Sequence, residues 1–132
     1  MNQAAQNGHL CVVKWLHANR SEGCTVQAMD DAACMGHLSV VKWLHANRSE
    51  GCTTKVMDSA SSNAHLTVVE WLNANRPEGC TIEAILASAK ANHKAVVYWL
   101  LYHTQQKKWL NGHLLAPICK AYQKRGNPFY YL

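Results

Sequence analysis

An all-α solenoid of stacked helix-turn-helix units is the fold this sequence predicts. The first observation is a period: Trp15, Trp43, Trp71 and Trp99 lie 28 residues apart, as do His9, His37, His65 and His93, and as do Cys24, Cys52 and Cys80. Self-similarity of this length marks units that cannot bury an apolar face alone and therefore stack on one another. The second is helical spacing, since Ala28, Met29, Ala32 and Ala33 share one face of a short segment, and Leu38, Val41 and Leu44 share one face of the next. The third is the lack of strand alternation in segments rich in alanine, a poor strand former.

Each unit reads as helix, tight turn, helix, loop. Thr25, Thr53 and Thr81 each precede a first helix, where a hydroxyl can accept from free amides. Gly36 stops the first helix by taking the left-handed conformation that favours glycine after a helix end. His37 then opens the second helix, whose apolar face Val40 and Trp43 widen. The segment ANRSEGCT closes the unit with a glycine suited to a turn.

Residues 25–52 and 53–80 are the two regular copies, and the flanking copies depart from them. Extending the period backwards sets Met1 in the place of Met29 and Met57, so residues 1–24 form a shortened first copy whose opening helix lacks its threonine cap. Two expectations follow: a frayed first helix in a fragment of a longer array, or an open face that pairs with a second copy into a homo-oligomer. In residues 81–108, Ile85, Leu86 and Asn92 replace the usual Met, Asp and Gly, and Leu101 and Tyr102 add apolar surface. Residues 109–132 leave the pattern; Pro117 would break or start a helix there, and Phe129, Tyr130, Tyr131 and Leu132 are expected to fold back as a C-terminal cap of a single domain spanning 1–132.

The second-helix segments GHLCVVKWL (8–16), GHLSVVKWL (36–44) and AHLTVVEWL (64–72) resemble the GHLEVVKLL signature of the ankyrin-repeat family. The first-helix signature TPLHxAA appears more weakly, as QAMDDAA (27–33) and KVMDSAS (55–61), with Asp30 and Asp58 in the histidine's place. The resemblance covers residues 1–104, but the period is shorter than the family's repeat of about 33 residues. The missing residues fall where the family builds a projecting hairpin finger. The resemblance therefore implies an ankyrin-like solenoid with shortened finger loops.

Several function classes are disfavoured. Equivalent cysteines in stacked units lie about 8–10 Å apart, beyond the reach of about 7 Å that a disulfide allows. No CxxC or HxxxH pair exists to hold a metal, so Cys24, Cys52 and Cys80 read as small buried hydrophobes in a reducing cytoplasm or nucleus. His9, His37, His65 and His93 read as helix-opening residues that bond a loop or a neighbouring unit. No Ser, Cys or carboxylate is fixed by spacing beside His17 or His45, and no glycine-rich phosphate loop is present, so neither catalysis nor a cofactor is expected. The tryptophans read as a stacking row between units. The longest apolar run, AVVYWLLY at 95–102, is too short for a membrane span, and no secretory leader is expected.

Charge is segregated. Residues 1–104 carry eight basic and eight acidic side chains, so the net +5 comes from Lys107, Lys108, Lys120, Lys124 and Arg125. That basic end could touch nucleic acid or anionic lipid, but five charges beside a hydrophobic cap are more often a solubilising surface. Arg20, Arg48 and Arg76, each followed two residues later by Glu22, Glu50 and Glu78, are expected to form surface ion pairs between units.

In proteins of this resemblance the concave face of the first helices and the finger tips bind partner proteins. With fingers trimmed, the expected contacts are the outward first-helix positions Gln27, Asp31, Cys34, Lys55, Ser59, Ser62, Glu83 and Lys90. These letters vary between copies while the interior ones persist. The expected function is a non-catalytic scaffold for an unidentified protein partner, with no small-molecule substrate. Polyanion binding through the basic end, or a piece of a longer array with no independent function, are the alternatives.

Overall fold

The computed structural model describes residues 1–21 and 23–104, and every regular element among them is a helix. In chain order these are α1 (Asn2–Gln6), α2 (Leu10–Asn19), α3 (Val26–Cys34), α4 (Leu38–Asn47), α5 (Lys55–Ser62), α6 (Leu66–Asn75), α7 (Ile82–Lys90) and α8 (Lys94–Thr104). Helices α1, α3, α5 and α7 lie against one another in file, and α2, α4, α6 and α8 each back onto the first helix of their own unit. The fold is an all-α repeat solenoid. The expected C-terminal cap, with the five basic residues that supply the net charge, lies outside the described residues.

Side-chain size accounts for the two layers. The first helices meet through Ala28, Ala32, Ala33, Ala60 and Ala84, all buried, and small side chains let their backbones approach closely. The second helices turn Val40, Val41, Leu44, Val68, Val69, Leu72 and Leu100 onto that layer and touch one another little. Burial of each of these leucines contributes about 2 kcal/mol.

Each first helix ends in the same hydrogen-bonded turn. In α3, the Gly36 N–H donates to Ala33 O at 3.1 Å and the His37 N–H to Ala32 O at 2.8 Å, the paired bonds of a Schellman motif. Equivalent bonds close α1, α5 and α7, with Gly8, Gly36, Ala64 and Asn92 at φ of +73, +80, +64 and +62°. Starts are as regular: the hydroxyls of Thr25, Thr53 and Thr81 accept from the N–H of Gln27, Lys55 and Glu83 at 3.3, 3.2 and 3.1 Å.

One interior residue breaks the pattern. Ser61 occupies the place of Ala5 and Ala33, is fully buried, and its hydroxyl has no hydrogen-bond partner. Ser88, the other buried serine among the described residues, donates to Ala84 O at 2.5 Å. Ser61→Ala should therefore raise stability by about 1 kcal/mol, since an unsatisfied buried hydroxyl carries its full desolvation cost. Urea unfolding followed by far-UV circular dichroism checks the sign.

Candidate protein-interaction site

The eight outward positions fall on the first-helix layer in three rows. Gln27, Lys55 and Glu83 form one row, Asp31 and Ser59 a second, and Cys34, Ser62 and Lys90 a third, each member one repeat from the next. Gln27, Lys55, Glu83 and Lys90 are exposed, and Asp31, Cys34, Ser59 and Ser62 are half-buried. Part of their polarity is used within the fold, because Ser62 donates to Ser59 O at 2.9 Å and the Asn63 amide donates to Cys34 O at 3.1 Å. The charged heads of Asp31, Lys55, Glu83 and Lys90 alternate in sign across the layer.

This layer is held in register by a relay. Asp30 accepts from the Thr53 N–H at 3.0 Å and from its hydroxyl at 2.7 Å, while that hydroxyl accepts from Lys55 N–H. A carboxylate on one first helix thus orients the cap of the next. Asp58 does the same for Thr81 at 2.8 and 2.7 Å, and Asn2 binds Thr25 through its amide oxygen at 3.1 Å and its amide nitrogen at 2.8 Å.

The second-helix edge carries another set of contacts between units. The ring of His37 lies over Gly8 and that of His65 over Gly36, so close that a Cβ on Gly36 would sit 2.5 Å from His65 Nδ1. Among the described residues the tryptophans meet histidines rather than one another. His17 meets Trp43 edge-on with ring centroids 5.1 Å apart, and His45 meets Trp71 in the same way, whereas Trp99 stacks on His103 of its own helix.

The arginine–glutamate pairs also differ from expectation. Arg48 pairs with Glu50, and Arg76 with Glu78, inside one loop and not between units. What Arg48 sends across is its Nη1, 3.2 Å from His17 Nδ1, and Arg76 reaches His45 Nδ1 at 3.3 Å. A guanidinium only donates, so Nδ1 accepts and the ring proton resides on Nε2. Hydrogen bonds from Arg48 hold the Glu50 carboxyl below the usual range against the pull of burial. For Glu78, burial pulls upward but is outweighed by the bonds from Arg76 and from the backbone.

Both carboxyls are more acidic folded than unfolded, so the stability they contribute is complete above about pH 5 and is lost as pH falls through their folded values. A chain carrying Glu50→Gln and Glu78→Gln should lose less stability than the parent between about pH 5 and about pH 3. Paired urea titrations at the two pH values check this.

Among the described cysteines, Cys80 is buried, Cys24, Cys34 and Cys52 are half-buried and Cys11 is exposed. Cys11, Cys24, Cys34 and Cys52 are in no disulfide. Burial pushes the Cys24 thiol up, reinforced by the Glu50 charge and opposed by Arg48, and burial likewise pushes up Cys52. Both stay protonated near neutrality and are poor nucleophiles. Among the described residues no group of three or more His, Cys, Asp or Glu side chains could hold a metal ion.

Residues 24–72, from Cys24 in the first loop to Leu72 in α6, match the family model described as ankyrin repeats (many copies). In these residues the chain is similar to ankyrin repeats. The matched span covers the first regular unit, the second as far as Leu72 and the interface between them, where both the Asp30–Thr53 relay and the Gly36–His65 contact lie. Ankyrin repeats generally mediate protein–protein interactions and typically act as non-enzymatic scaffolds. No curated protein matches the chain. Within the matched residues, the connection from Arg48 to Thr53 contains no strand, and Arg48 and Glu50 are folded back onto the preceding unit.

Proposed function

We propose that the chain is a non-catalytic scaffold whose first-helix layer binds a partner protein through Gln27, Asp31, Cys34, Lys55, Ser59, Ser62, Glu83 and Lys90. The observation that carries this reading is the contrast within each first helix. Inward positions repeat almost unchanged, as in Met29 and Met57 or Ala32 and Ala60, while the outward rows change at every step from Gln27 to Lys55 to Glu83. A rigid layer with interchangeable polar heads suits recognition of a protein surface of mixed charge. Reduced Cys11, Cys24, Cys34 and Cys52 among the described residues support a cytoplasmic or nuclear location, and no helix among the described residues is long and apolar enough to cross a membrane. We read residues 1–132 as one domain, with units at 1–24, 25–52, 53–80 and 81–108 and a cap at 109–132.

The test is an affinity capture with the parent chain beside a variant carrying Asp31→Lys and Lys90→Glu. A partner retained by the parent should bind the variant at least about tenfold more weakly, with an unchanged melting temperature. Equal retention would remove this face from consideration. A second reading rests on the segregated charge: Lys107, Lys108, Lys120, Lys124 and Arg125 supply the net +5. It predicts polyanion binding with a steep salt dependence that is lost when those five are neutralised.

A further inference from the structure

Charges on the first helices divide into those the fold uses and those it leaves outside. Asp30 and Asp58 serve the threonine caps of the next unit, and in the loops Arg48 and Arg76 close on Glu50 and Glu78. No ion pair among the described residues uses Asp31, Lys55 or Glu83. These three stand one to a helix on α3, α5 and α7, in the order negative, positive, negative. Lys55 and Glu83 share a row, and Asp31 lies one turn, about 6 Å, further along its helix, an offset that long basic side chains span. One turn beyond Asp31, Met35 is 51% exposed and is the one large apolar side chain exposed on this layer among the described residues.

The spacing of these charges selects the backbone of what lies across them. Packed helices stand about 8–10 Å apart. A polyproline II segment has three residues to the turn and rises about 3.1 Å per residue, so every third side chain faces the layer at steps of about 9 Å. A β-strand returns to the same face after about 7 Å or about 13 Å and matches neither step. An α-helix docks by an apolar stripe, and Met35 alone does not supply the apolar groove that such a stripe enters.

We infer that the partner presents an extended, proline-containing segment with basic, acidic and basic residues at every third position, Arg-x-x-Glu-x-x-Arg, laid across α3, α5 and α7. This rests on the reading of the first-helix layer as the binding face. The first arginine meets Asp31 with its apolar stem along Met35, the glutamate meets Lys55, and the second arginine meets Glu83. Prolines between them hold the segment extended before it binds, which lowers the entropy lost on docking. The order of the charges supplies the discrimination, since a segment of opposite order sets like charges against one another at all three helices.

The test follows the fluorescence anisotropy of labelled peptides against the full chain at low salt. Gly-Arg-Ser-Pro-Glu-Ser-Pro-Arg-Gly should bind at least about tenfold more tightly than Gly-Glu-Ser-Pro-Arg-Ser-Pro-Glu-Gly. Moving the glutamate of the first peptide by one position should forfeit that preference, because the side chain turns away from Lys55. A chain carrying Lys55→Glu should prefer Gly-Arg-Ser-Pro-Arg-Ser-Pro-Arg-Gly to the first peptide by at least about tenfold. Equal binding of the two charge orders, indifference to the position of the glutamate, or no detectable binding of any peptide overturns the inference. The binding face itself is judged by the capture with Asp31→Lys and Lys90→Glu. A capture that still depends on those residues leaves the face standing when the peptide result fails.

Discussion

Gly36→Val should cost about 3 kcal/mol, the largest effect expected of any substitution considered for this chain. Its backbone sits at φ +80°, where a β-branched residue pays about 1–2 kcal/mol or more. The rest comes from the neighbouring unit, because a Cβ there would lie 2.5 Å from Nδ1 and 2.7 Å from Cε1 of the His65 ring. Displacing that ring opens the interface between the second and third units, and in a quasi-linear array one broken interface also lowers the cooperativity of unfolding. The two parts can be separated. In a His65→Ala background the added cost of Gly36→Val should fall to the backbone share alone. Ala64 shows that a lone Cβ is tolerated at φ +64° one unit later. Urea unfolding of the parent, both single variants and the double variant completes the cycle, and additive losses would contradict the ring contact.

Asp30→Ala should cost about 2 kcal/mol, because two hydrogen bonds to a carboxylate are lost together and the Thr53 N–H is left without its acceptor. The loss reaches further than one pair, since the Thr53 hydroxyl that accepts from the first N–H of α5 loses the group that orients it. Asp30→Asn should be nearly neutral, within about 0.5 kcal/mol. Asn2 already performs the same task for Thr25, with its amide oxygen taking the N–H and its amide nitrogen donating to the hydroxyl. Denaturation midpoints of the two variants check the contrast, and equal losses would show that charge matters more than geometry here.

Local features were legible in the sequence where the physics is local. Among the described residues the period located the helix pairs, threonine marked the starts of α3, α5 and α7, and Gly36 marked a left-handed turn. Contacts between units were harder to read because they join residues far apart in the chain. Asp30 looked like a substitute for the family's histidine, yet it serves Thr53, 23 residues later. The clue was present as a coincidence of spacing. Asn2 with Thr25, Asp30 with Thr53 and Asp58 with Thr81 recur at the same offset, and both letters change together at Leu86 and Trp109.

The arginine–glutamate pairs misled for a different reason. A spacing of two residues in a turning loop can place both side chains on one side, so Arg48 and Glu50 close on each other and only the remaining guanidinium edge reaches His17. Tryptophan at a fixed period suggested a row of indoles. The second helices, however, stand far enough apart for an imidazole to enter from the unit before, and His17 and His45 take that place. Where Asn73 replaces the histidine, Trp99 turns to His103 of its own helix. The outward rows of the first helices could be located from the period, but their partner leaves no trace in spacing, because a variable polar surface is compatible with many proteins.

A NOESY spectrum of the full chain tests the stacking of successive units most directly. Cross-peaks are predicted between the His17 ring and the Trp43 indole, and between His45 and Trp71, whose centroids are 5.1 Å apart in each pair. Helical signals without either cross-peak, or indole protons of Trp43 and Trp71 that see only their own helices, would contradict it.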